Sequence, residues 1–271
     1  MPGEDRASAV EAAEGLAARK IGAVFTLLGE NVTNREEVND VLQEYLALLQ
    51  DIRSRGLDAQ ISVKLTQLGM DLDRGMALEN LATLVQEARN QGSFVWIDME
   101  ATPYLDGTIG TFREVSGKGV PVGLCLQAYL RSTPEDLEAL LGLEPTIRIV
   151  KGAYAEPPSL AFPRRRDVDS AFFDLVTKVL QGGGRVAAAT HDSALVDRIR
   201  GWVKEKGIAG DRYEFQMLYG IRPGAQNLLA GEGEPVRVLI SYGPSWFPWY
   251  MRRLAERPAN LWFVMKNMVR G

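Results

Sequence analysis

Arg252 and Arg253 stand side by side in the stretch WYMRRLAERP, residues 249–258, and Glu256 follows about one helical turn later. Neighbouring helix residues point about 100° apart, so one solvated face does not need both arginines. Two guanidinium forks suit a single carboxylate, because each can donate two hydrogen bonds. Glu256 is spaced i+3 from Arg253 and i+4 from Arg252, which lets it hold one of them in place. One reading is therefore a clamp for a small carboxylate ligand. The other is a solvated helix face with i,i+4 pairing.

More polar residues fall where apolar, strand-like runs end. They are Lys64, Asp98 with Glu100, Gln127, Arg148 with Lys151 and Tyr154, Thr190 with His191 and Asp192, and Gln216 with Tyr219. Singly, each has an ordinary explanation. Lys64 and Asp98 could form a salt bridge at a sheet edge, and His191, the only histidine, could be a packing residue. Arg148 is harder to dismiss, because isoleucines flank it in TIRIVKG. An unpaired guanidinium in such surroundings is costly, so it should have a partner. Together these residues describe a mouth for a large polar ligand with anionic parts.

Other chemistries fit poorly. One histidine and one cysteine make no zinc set, and no nucleophile elbow accompanies His191. GGGRVA at 182–187 matches a dinucleotide fingerprint in letters only, since it follows a helix and enters a strand. It reads as a helix stop and turn. The net charge is −4 with scattered basic residues, which gives no polycationic stripe for nucleic acid.

The elements that must position these residues alternate regularly. Strand candidates are 23–30, 59–65, 93–99, 122–128, 147–152, 185–191, 213–220 and 236–243. Amphipathic segments separate them. One begins after Asn34 as N-cap and stops at Gly56; another begins at Ser132 or Thr133, with Pro134 in its first turn, and stops at Gly142. A third follows His191. Eight strand–helix units in 271 residues predict an α/β fold, a single TIM-type (β/α)8 barrel over 1–271, with the last helix near the active-site mouth. In that fold the chemistry sits where the strands end, which is where the polar residues fall.

The composition, 46% apolar and 24% charged, is that of a globular protein, and no apolar run reaches the ~18 residues of a membrane span. The N-terminal stretch is acidic and lacks a signal core. Cys125, in the apolar run VGLCLQA, reads as a buried thiol in a reducing compartment. A cytoplasmic protein is expected.

ISVKLTQLG, WIDMEA, LQAYLRST, IRIVKGAYAEPP, AAATHD, YEFQMLYG and RRLAERPANL occur in order at successive strand ends. Together, from about Ile21 onward, they resemble bacterial monofunctional proline dehydrogenase. The resemblance implies a barrel that binds FAD without a Rossmann fingerprint and oxidises L-proline to Δ1-pyrroline-5-carboxylate, the first step of proline catabolism to glutamate. Electrons would pass to a quinone, with peripheral contact at the inner face of the membrane. It further implies that Arg252 and Arg253 clamp the proline carboxylate with Glu256 in support. Lys64 and Asp98 would pair and line the pocket with Tyr154, and Arg148 would lie near flavin N5. Met99, Gln127, Lys151, Gly152, Ala153, Thr190 and His191 would hold FAD, and no metal is implied.

Three features depart from the family pattern. Leu239 stands where a tyrosine is usual, which bears on selectivity between proline and hydroxyproline. Trp249 replaces the first tyrosine of the arginine motif. Only about twenty residues precede the first strand, so a form lacking N-terminal helices is expected, with one barrel end less covered. Two rival readings remain: a Schiff-base barrel aldolase using Lys64 or Lys151, and a binding barrel without catalysis.

Overall fold

The computed structural model describes residues 1–244. Eight parallel strands close into a barrel in sequential order. They are β1 (Gly22–Leu27), β2 (Ala59–Val63), β3 (Val95–Ile97), β4 (Val122–Gln127), β5 (Thr146–Val150), β6 (Arg185–Ala189), β7 (Tyr213–Leu218) and β8 (Val236–Tyr242). The helices are α1 (Arg6–Ala17), α2 (Arg35–Ser54), α3 (Arg74–Gln91), α4 (Leu105–Val115), α5 (Thr133–Leu141), α6 (Arg165–Gln181), α7 (Ser193–Glu205) and α8 (Pro223–Gly231). All eight strand expectations meet a strand, each ending one to three residues earlier than the apolar run. The excess residues are those that bend into the loops of the mouth.

Local chemistry sets the helix boundaries. Asn34 caps α2 by accepting from the Glu37 N–H, and Gly56 beyond its end takes φ +62°. Asp192 caps α7 in the same way, accepting from Ala194. Gly182 ends α6 and Gly183 turns back at φ +88°, so GGGRVA is a helix stop and turn. Ser132 occupies the N-cap position of α5, with Pro134 in the first turn.

The sequence reading places no element before the first strand, yet α1 forms there. Asp5 caps it by accepting from the Ser8 N–H. Ala9, Val10, Ala13 and Leu16 are buried, and the helix packs on β1 and β8. The outer position between β8 and β1 is thus covered by α1. The main core lies between strands and helices, and the inward-facing side chains fill the barrel itself.

Candidate active site

Side chains alternate along each strand, so every second residue enters the barrel. At the N-terminal end Glu214 accepts from Arg185 at 2.5 Å and faces Arg237 Nε at 3.5 Å. Arg237 also meets Asp58 at 2.9 Å and donates to the carbonyls of Ala23 and Asp58. Burial alone would raise the Glu214 carboxyl, but Arg237 and then Arg185 outweigh it and hold it below the usual range. Above this layer lies an apolar one of Val24, Trp96 and Ala187, with Phe94 and Leu239 against it.

Arg148, in the middle of β5, crosses above that layer. Its Nη1 donates to Asp98 Oδ1 and to Ser62 Oγ, both at 2.8 Å, and Ser62 in turn donates to Asp98 at 2.8 Å. The guanidinium lies over the Trp96 ring, 4.5 Å from the centroid. Arg148 is 2% exposed, yet its Nε and Nη2 have no hydrogen-bond partner among the described residues. Gln127 is equally buried: its Nε2 donates to the Met99 carbonyl at 3.4 Å, and its Oε1 is unpartnered. Cys125, beside Arg148 in the sheet register, is buried, and burial pushes its thiol up to about 12.

The expected Lys64–Asp98 pair does not form. Arg148 reaches the carboxylate from across the barrel and occupies it jointly with Ser62. Lys64 lies just beyond β2, is 6% exposed, and makes no ion pair among the described residues. Its charge acts instead on Glu100. Glu100 accepts from Thr66 N–H at 3.2 Å and Thr66 Oγ1 at 2.7 Å, and burial raises its carboxyl to about 7 against those hydrogen bonds and Lys64. Thr66 Oγ1 also accepts from the Asn31 N–H, which ties the first three loops of the mouth together.

The loops after β5 and β6 form a second cluster. Lys151 donates to Asp169 at 2.5 Å and to Asp192 at 3.0 Å, and Arg165 donates to Asp192 at 2.8 Å. Arg165, then Lys151, lowers Asp192 to about 2. Gly152 takes φ +109°, and a Cβ there would collide with the Tyr129 ring. Ala153 is exposed on the same loop, and Tyr154 OH donates to Glu30 at 3.5 Å. Thr190 is buried, with its Oγ1 accepting from Asp192 N–H. His191 Nε2 accepts from Leu218 N–H at 2.8 Å, so its proton belongs on Nδ1; burial, then the charge of Arg222, lowers its pKa.

Residues 9–266 match the family model described as proline dehydrogenase. This chain belongs to the proline dehydrogenase family. Proline dehydrogenase 1 of Bacillus subtilis subsp. natto is 38% identical over 270 residues, covering 100% of this chain and 89% of that relative. Proline dehydrogenase of Deinococcus radiodurans is 36% identical over 276 residues, with the same coverage of 100% and 89%. Among solved structures, proline utilization A (PutA) from Bdellovibrio bacteriovorus, inactivated by N-propargylglycine, superposes with a TM-score of 0.84 at 20% identity, covering 94% of this chain and 32% of that one. PutA from Corynebacterium freiburgense gives 0.78 at 22% identity, covering 96% and 31%. At that identity the likeness shows the barrel fold. Family membership makes the protein an oxidoreductase that oxidises proline in proline catabolism. It does not favour the aldolase reading.

Of the residues singled out in the sequence, the structure brings Asp98, Arg148, Met99, Gln127 and Leu239 to the barrel interior and its upper rim. Lys151, Gly152, Thr190 and His191 fall on the loops after β5 and β6. Arg252, Arg253 and Glu256, with Trp249, lie outside the described residues. Sequence reasoning missed Ser62, Thr66 and Trp96. Ser62 and Trp96 stand two residues before Lys64 and Asp98, so the strand alternation that singled out the latter pair pointed to them as well.

Proposed function

We propose that the chain, as one catalytic domain over 1–271, is an FAD-dependent L-proline dehydrogenase that yields Δ1-pyrroline-5-carboxylate. The observation that carries the cofactor reading is the unpartnered edge of Arg148. Buried donors are almost always satisfied, and this one sits with Gln127 Oε1 at the upper end of the barrel. A flat heterocycle that both accepts and donates hydrogen bonds fits that pair of groups. The close turn at Gly152 and the Lys151–Ala153 loop offer backbone to the rest of a long cofactor, and Thr190 and His191 offer side chains on the neighbouring loop.

Bound FAD supplies the two-electron acceptor. The protein residues do the rest. Arg252 and Arg253, steadied by Glu256, hold the proline carboxylate, which fixes the ring relative to the mouth. Lys64 and Tyr154 line the substrate pocket, and Leu239 shapes its floor. Arg148 places a positive charge where electron density accumulates, and Asp98 fixes Arg148 through Nη1. Lys151 is held by two carboxylates, whereas a Schiff-base nucleophile needs a free amine.

Electrons leave to a quinone, which brings the protein to the inner face of the cell membrane as a peripheral, otherwise cytoplasmic protein. No helix among the described residues is long and apolar enough to cross a membrane. The test is the absorption spectrum of the purified protein with identification of the extracted chromophore, followed by turnover of L-proline with an artificial electron acceptor. FAD and turnover are expected. A colourless protein, or a coloured one without proline turnover, would overturn the reading.

A further inference from the structure

We propose that Trp96 is the positioning residue for Arg148, and that through it the ring sets the reduction potential of the flavin. The inference rests on the reading of Arg148 as the cation facing that flavin. The hydrogen bonds from Nη1 to Asp98 and Ser62 pin the guanidinium at one end only. They leave its plane free to turn about that end. The Trp96 face, with the guanidinium carbon 4.5 Å from its centroid, fixes the plane. One pinned atom and one fixed plane together aim the remaining edge, Nε and Nη2, which has no partner among the described residues.

The ring is itself held on every side, as a platform must be. It is fully buried between Val24 and Ala187. Its Nε1 donates to Gln60 Oε1 at 2.6 Å, and the Phe94 ring packs against it with centroids 5.0 Å apart. On the β4 side the space exists because residue 123 is glycine. A Cβ there would stand 2.6 Å from Trp96 Cζ3. Gly123 is inside a strand, where glycine weakens the sheet, and close approach of this ring accounts for it. The apolar ring also excludes water from the underside of the guanidinium, so the charge acts through a low-dielectric interior.

The test compares flavin midpoint potentials, by spectroelectrochemical titration, in five holoenzymes: wild type, Arg148→Met, Trp96→Leu, Trp96→Phe and Gly123→Ala. Arg148→Met lowers the potential under the parent reading, because a cation beside the reduced ring is lost. Trp96→Leu removes the platform, and Gly123→Ala displaces it by collision while Trp96 and Arg148 both keep their own side chains. Both should lower the potential by about half or more of the Arg148→Met shift, while Trp96→Phe, which keeps an aromatic face, stays close to wild type. The proposal is overturned if Arg148→Met lowers the potential and Gly123→Ala and Trp96→Leu do not, or if Trp96→Phe falls as far as Trp96→Leu. Gly123→Ala decides alone if Trp96→Leu gives no folded holoenzyme. An unchanged potential in Arg148→Met would instead sink the parent reading itself.

Discussion

The two ends of the barrel interior both bury arginine, and they treat it differently. At the N-terminal end Arg237 meets Asp58, Glu214 and two backbone carbonyls, and Arg185 meets Glu214 from the other side. Two cations share the buried carboxylate of Glu214, and Arg237 also meets the exposed Asp58; Arg237 Nε makes no hydrogen bond but still faces Glu214 at 3.5 Å. At the C-terminal end Arg148 is as deeply buried, yet one of its three nitrogens carries both polar contacts, the plane of the group lies over the Trp96 ring, and the Nε–Nη2 edge has no partner among the described residues. A buried charge that the chain satisfies itself is a structural element. A buried charge that the chain fixes at one end and leaves open at the other is prepared for something that binds.

That contrast is broken most forcefully from below. Glu214→Gln leaves Arg185 and Arg237 facing each other without the carboxylate, which should destabilise the fold by about 3–5 kcal/mol. Chemical denaturation reads the loss, and kcat/KM for proline in the folded fraction should not change. An activity loss larger than the stability loss would mean that the lower end takes part in the chemistry. The mirror experiment addresses the proposed carboxylate clamp. Arg252→Met or Arg253→Met should cost about 2–5 kcal/mol of substrate binding, roughly 30- to 4000-fold in KM, with FAD retained and the denaturation midpoint little moved. An unchanged KM in both single variants would remove the carboxylate clamp.

Much of this arrangement is legible in the sequence. The eight strands announce themselves as short apolar runs, and the residues that end them are the polar ones of the mouth. Asn34 and the glycines of GGGRVA mark helix boundaries by local chemistry that acts within a few residues. What fails is what depends on distance across the barrel. Lys64 and Asp98 end adjacent strands and look like a pair, but Arg148, two strands farther round, reaches Asp98 through the interior. A lone tryptophan in SFVWIDM says nothing of the cation above it or the glycine beside it. Helix α1 escaped because half of its buried face is alanine, a weak apolar signal; Asp5 with Ser8 was the cue available.

The upper end also predicts a pH dependence. The Glu100 carboxyl lies near 7 in the folded protein, above its ordinary value of 4.5. A raised acid binds more protons folded than unfolded, so its contribution to stability is present below about 4.5 and is lost as pH rises through about 7. The span corresponds to about 3 kcal/mol. Glu100→Gln should flatten the fall in unfolding free energy between those limits; the same slope in both proteins would mean that Glu100 does not titrate there.

The smallest effect concerns Leu239, which packs against the cluster holding Trp96. On the proposed placement beside the substrate ring, leucine leaves room but offers no hydrogen bond. Relief of the clash outweighs the unpaired hydroxyl if water enters, so this protein should discriminate between proline and 4-hydroxyproline less than its Leu239→Tyr variant. The expected difference is about 1 kcal/mol, or roughly fivefold in the ratio of kcat/KM values. Equal or sharper discrimination by leucine would place residue 239 away from the substrate ring or leave the pocket dry.

The claim that the half-satisfied upper end is the working end is tested most directly by the reductive half-reaction. L-Proline is mixed anaerobically with the wild-type holoenzyme and with Arg148→Met, and the flavin band is followed in a stopped-flow instrument. The account predicts full bleaching in the wild type and bleaching slower by about two orders of magnitude in the variant. A wild-type band that proline leaves unchanged, or a variant that bleaches at the wild-type rate, would contradict it.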